Sequence, residues 1–119
     1  MPDNLITLDQ AVAMTSLYRQ EKENILAEAY KGNNLLCICE TFTREAFDTL
    51  LGEEACTAVR IYYGMSDDLQ IHAIAVGVNS DNEDILPNSN LANMSDPPPV
   101  IEDGIRCPDD CPPKSPLNP

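Results

Sequence analysis

Cys107 and Cys111, separated by three residues in RCPDDCPP (106–113), are the side chains of this sequence whose type and spacing first suggest chemistry. Two thiolates make half of a tetrahedral zinc shell, and Cys37 and Cys39 in LLCICE (35–40) supply the other half on that reading. Leu35, Leu36 and Ile38, however, flank these cysteines with core-like residues, and buried free cysteine is an ordinary small apolar side chain. The sulfurs therefore read as unrelated thiols, with a shared zinc as the alternative and no other cofactor implied. Redox catalysis needs a thiolate held by positive potential; Asp109 and Asp110 oppose it and only Arg106 favours it. The structural alternative is a capped turn, with Pro108 at its first position and the two aspartates favoured by the helix dipole. In an oxidising milieu the same loop closes as a disulfide.

His72 is the one histidine, so proton transfer near neutral pH would centre on it. With Tyr63, and with Arg60 and Tyr62 close by on the same pair of expected strands, it forms a candidate ligand-binding set. A strand histidine bonded to a neighbour is the plainer reading. No serine, histidine and aspartate can be assembled into a triad. Asp81, Glu83 and Asp84 resemble part of a calcium loop, but the glycine and the distal glutamate of such a loop are missing. Phosphate-cradling glycine motifs and H-E-x-x-H are also absent.

The elements that must position these residues follow from periodicity. Thr7 and Gln10 form a capping-box pattern ahead of a helix over about 8–19, and a short second helix near 25–30 ends at Gly32. LLCICE reads as a buried strand. Thr43 caps a helix over about 44–51, with Phe47, Leu50 and Leu51 on one face and Gly52 closing it. TAVRIYYGM (57–65) and LQIHAIAVGV (69–78) form a hairpin around SDD. A loop over 66–69 would set Tyr63 opposite His72, Ile61 opposite Ile74 and Val59 opposite Val76; a slip to Ile71, Ala73 and Ala75 stays open. The result is an α+β body over 5–84, a small antiparallel sheet with two to three helices on one face.

Nine of the ten prolines lie beyond residue 86, and 85–119 reads as a Pro-, Asp- and Asn-rich tail, mostly irregular because ordering it costs more than its few large apolar groups return. Within it, Asp103-Gly104 between the apolar arms of VIEDGIRC (100–107) signals a short hairpin. The 20 acidic and 7 basic residues give a formal charge of −13, which repels nucleic acid and anionic membranes and suits a basic protein face. The longest mainly apolar run, 71–78, is far short of the roughly 18–20 residues that span a bilayer. The first twenty residues lack the features of a secretory leader, so the expected location is the cytoplasm, where thiols stay reduced.

Taken together, TREAFDTLL (43–51), Cys56, VRIYYGM (59–65), IAVGVNSDNEDIL (74–86) and RCPDDC (106–111) resemble a family of small bacterial proteins with an R-x-Y-Y-G / V-G-V-N hairpin and a C-terminal C-P-x-x-C segment. Members of that family usually end in C-P-P-x-C, and Asp109 replaces the second proline here. The resemblance spans 43–111 and implies no activity. Function is therefore expected from contact: a non-catalytic protein-interaction or self-associating domain, with a protein partner or a second copy as ligand. The alternatives are a metal-binding protein using the C-terminal cysteines and a small enzyme centred on His72.

Overall fold

The computed structural model describes residues 4–87 and 99–119. The fold is α+β. Its first element, α1 (Leu8–Glu21), starts at a complete capping box: Thr7 Oγ1 accepts from Gln10 N, and the Gln10 side chain accepts from Thr7 N. Beyond it, the short helix expected near 25–30 is a single 3-10 turn, Glu28–Tyr30. Strand β1 (Cys39–Thr41) is followed by α2 (Arg44–Leu51), capped by Thr43 Oγ1 on Ala46 N and closed by Gly52 N bonding Asp48 O. Along α2, Leu50 is fully buried, and α2 packs on the sheet below it.

That sheet is built on β3 (Ile71–Val78), whose last four residues are all buried. The hairpin with β2 (Ala58–Met65) is present, in a register that neither sequence alternative contained. Tyr63 faces Ala73, Ile61 faces Ala75 and Val59 faces Gly77. The cause lies in the loop: Ser66 N bonds Gln70 O and Leu69 takes a left-handed φ of 68°, so the connection uses 66–70 rather than 66–69 and moves every pair by one. One face therefore carries Ile61, Tyr63, Ile71 and Ala73, and the other Arg60, Tyr62, His72 and Ile74.

On its second side β3 is bordered along its length by four different segments. Ile71 N bonds Leu35 O, Ala73 N bonds the Glu40 carboxylate, Ala75 and Val76 pair with β5 (Val100–Ile101), and Gly77 and Val78 pair with β4 (Asp84–Ile85). A second, two-stranded sheet joins β1 to β6 (Ile105–Cys107), with Cys39 opposite Cys107 and Glu40 opposite Arg106. The hairpin expected over 100–107 does not form. Asp103 does take a left-handed φ of 67°, but the arms on either side pair with different sheets, because β3 and β1 each offer a longer edge than a two-residue arm can. Residues 100–107 thus tie the two sheets together. Part of the stretch expected to be irregular, 88–98, lies outside the described residues.

Arg106 is the knot of that tie. Only 4% exposed, it donates from Nε to Ile71 O at 3.2 Å and from Nη2 to Asn34 O and Leu35 O at 3.2 and 3.3 Å. A guanidinium suits this place because its planar fork reaches several carbonyls at once. Nη1 lacks a hydrogen bond and lies 3.7 Å from exposed Asp109. Gly104 makes the adjacent crossing possible: a Cβ there would sit 2.9 Å from Glu40 Oε2 and from two atoms of the Phe42 ring.

A candidate docking edge and its hollow

Strand β2 ends the larger sheet on one side and leaves an edge eight residues long, against two residues each for β4 and β5 on the other. Six of its eight residues are exposed, including Val59, Ile61, Tyr62, Tyr63 and Met65, with Tyr63 at 80%. The outer side of an edge strand presents alternate N–H and C=O groups without partners. Natural edges are usually blunted by lysine, proline or a bulge. This one carries a single charge, Arg60, and that charge is already committed. Arg60 bonds the Asp84 carboxylate and the carbonyl and side chain of Asn82, and Tyr62 donates its hydroxyl to the same Asp84. Asp84 is held below the usual carboxylate range by the Tyr62 hydroxyl and then by Arg60, while Tyr62 is pushed up by the same bond.

Against the Tyr63 face of this edge lies a hollow of about 480 Å³. Its walls are Ile61, Tyr63 and Ile71 from the hairpin, Phe42 and Phe47 around α2, and Tyr18 from α1. Phe42 and Phe47 meet edge to face, 5.7 Å between ring centres. Tyr18 is fixed by its hydroxyl bonding Cys37 O, and burial, then the neighbouring Cys37, raises its pKa. Glu40 is the acid of this hollow. Its Oε1 accepts from Ala73 N at 2.7 Å, while Oε2 is shielded and has no hydrogen bond. The arrangement is an apolar receptacle with one carboxylate beside an unpaired strand edge.

The four residues expected to bind a ligand are distributed over both faces. Arg60 and Tyr62 stand together on Asp84; Tyr63 lines the hollow on the opposite face. The His72 side chain shares the Tyr62 face, where its Nδ1 lies 3.5 Å from Glu102 Oε1 in a second hollow of about 370 Å³, and the residue also borders the first hollow. A concavity beside the hairpin is therefore present and both Tyr63 and His72 border it, but the one-residue shift in register puts their side chains on opposite faces of the strand pair instead of opposite one another.

The cysteines are less scattered than their sequence positions suggest. Cys107 and Cys111 form a disulfide, and Cys39 lies directly across the ladder from Cys107. Cys37 borders the hollow, and burial pushes its thiol up. Cys56 is elsewhere, with its sulfur against Gly77. Among the described residues no group of three His, Cys, Asp or Glu side chains is placed to hold a metal ion.

Sequence reasoning gave Glu40 and Phe42 no role, and read Phe47 only as a core residue and Arg106 only as a neighbour of two thiols. Glu40 had a signal: alternation in LLCICE sets it on the same face as Leu36 and Ile38, an acid in an apolar row. No helix among the described residues is long and apolar enough to cross a membrane. No family model, no curated protein and no solved structure matches the chain.

Proposed function

We propose that the chain is a non-catalytic interaction domain that takes an extended, basic segment of a partner protein onto β2. Added strands gain affinity from main-chain hydrogen bonds and specificity from pockets that receive alternate side chains. The observation that carries this reading is the pairing of an exposed, apolar, unblunted eight-residue edge with a hollow walled by two of that edge's own side chains, Ile61 and Tyr63. A formal charge of −13 selects the partner: a basic segment is drawn in, a second copy of this chain is repelled, and nucleic acid and anionic membranes are disfavoured. The fitting segment alternates aliphatic or aromatic residues with lysine or arginine.

A zinc site built from Cys37, Cys39, Cys107 and Cys111 would require the Cys107–Cys111 bond to be reduced first, so it is the weaker reading. The cytoplasm is the setting we infer, and a disulfide there is a bond that forms and breaks rather than a permanent staple.

The test is titration of a fluorescent ten-residue peptide of alternating valine and lysine, followed by anisotropy. Binding that weakens at least tenfold, about 1.4 kcal/mol, in an Ile61→Lys/Tyr63→Lys chain, and that falls with added salt, is the expected result. Equal affinity for both chains would overturn the assignment to β2. Sedimentation of the unmodified chain as a stable dimer would replace the basic partner by a second copy.

A further inference from the structure

We propose that Cys39, Cys107 and Cys111 form a thiol–disulfide exchange site, in which Cys39 displaces Cys111 from Cys107. Three observations bring the sulfurs to one place. Cys107 is bonded to Cys111, Cys39 is a free cysteine, and the β1–β6 ladder sets Cys39 directly opposite Cys107. Directly opposed residues of an antiparallel pair have Cα atoms about 4.5–5.5 Å apart and Cβ atoms about 4.5–5.5 Å apart. Disulfides accept Cα separations of about 4.4–6.8 Å and Cβ separations of about 3.5–4.5 Å. The two Cβ ranges meet at about 4.5 Å, so the exchanged bond fits the ladder with a small backbone shift and a rotation of the sulfurs.

The step is an isomerisation. The Cys39 thiolate attacks the Cys107 sulfur; the Cys39–Cys107 bond forms as the Cys107–Cys111 bond breaks, and Cys111 leaves as a thiolate. The proton lost by Cys39 passes to Cys111 through water. One disulfide and one thiol stand on each side, so no oxidant or reductant is consumed.

The two isomers differ in what they restrain. The Cys107–Cys111 bond spans a sequence separation of 4 and closes only a local loop. A Cys39–Cys107 bond would tie β1 covalently to β6, at the crossing where Arg106 holds the two sheets together, and it would restrain much more of the unfolded chain. It would also leave a free thiol at Cys111, which is exposed, in place of one at half-buried Cys39. Exchange thus moves the reactive sulfur from inside the ladder to the surface. Cys37 is not part of this device: it is outside the β1–β6 pairing, and burial pushes its thiol pKa up.

The experiment uses the full chain, purified without reductant, incubated at pH 8, quenched in acid, alkylated with N-ethylmaleimide in denaturant and mapped by peptide mass. Label on Cys111 together with a Cys39–Cys107-linked peptide is expected, growing with incubation time, and both should vanish in a Cys39→Ser chain. A wild-type chain labelled on Cys39 and never on Cys111 would overturn the proposal. A second arm gives a Cys111→Ser chain oxidised glutathione as the named oxidant. The Cys39–Cys107 linkage is expected within the lifetime of any glutathione adduct, and a lasting adduct on Cys107 beside a free Cys39 would equally overturn it.

Discussion

Replacing Arg106 with methionine removes the guanidinium while keeping an apolar stem of similar length. The change strips donors from three backbone carbonyls, Ile71 O, Asn34 O and Leu35 O, at a site only 4% exposed. A buried acceptor left without a partner costs about 1–3 kcal/mol, but a buried cation also carries a desolvation penalty that its removal returns. Hydrogen bonds from a charged group are worth about 1.5–3 kcal/mol each, so losing several together, less the returned desolvation, should cost about 3–5 kcal/mol in Arg106→Met. In a domain with a total stability of about 5–15 kcal/mol this is a large fraction. The melting temperature should fall by roughly 10–20 °C. Urea unfolding followed by circular dichroism measures the loss, and amide exchange locates it; β6 and the amide of Ile71, which bonds Leu35 O, should lose protection first. Asp109→Asn is the control, because Asp109 is exposed and 3.7 Å from Arg106, and it should change stability by less than about 1 kcal/mol. A loss below about 1 kcal/mol for Arg106→Met would refute the idea that this side chain ties the two sheets together.

Gly104→Ala should destabilise the chain by about 1–3 kcal/mol, since the added methyl meets the Phe42 ring and Glu40, and chemical denaturation will show it. Thr43→Ala, which removes the α2 cap, should cost about 1 kcal/mol by the same measurement. Asp84 has a lower pKa folded than unfolded, so the stability it contributes is present above its unfolded value, about 3.9, and is lost as pH falls through the folded value. An Asp84→Asn chain should be less stable than the unmodified one at pH 7, and the gap should close as pH falls through the lowered folded value; a gap independent of pH would rule out the carboxylate as its source.

Local features were legible in the sequence and long-range pairings were not. Thr7 with Gln10, and Thr43 with Gly52, mark the two α-helices because capping is settled within a few residues. The hairpin was visible in its β-branched runs, yet its register turned on Leu69 adopting a left-handed conformation, which a leucine does not announce. Asp103 was read as a turn residue and does take a left-handed φ, but the partners of the arms beside it lie 24 to 68 residues away along the chain, at Ala75 and Val76 and at Cys39 to Thr41. Arg106 was seen only as a neighbour of two thiols. Its three carbonyl partners are brought to it by folding, and nothing in RCPDDC indicates them. Likewise, the opposition of Cys39 and Cys107 appears only once β6 crosses to β1.

The central claim is that β2 receives a partner strand, and backbone amide exchange across β2, with and without the valine–lysine peptide, tests it most directly. Alternate β2 amides, those pointing away from β3, should gain protection on binding while the β3 amides stay unchanged. Binding of the peptide with no change in β2 protection would contradict the account.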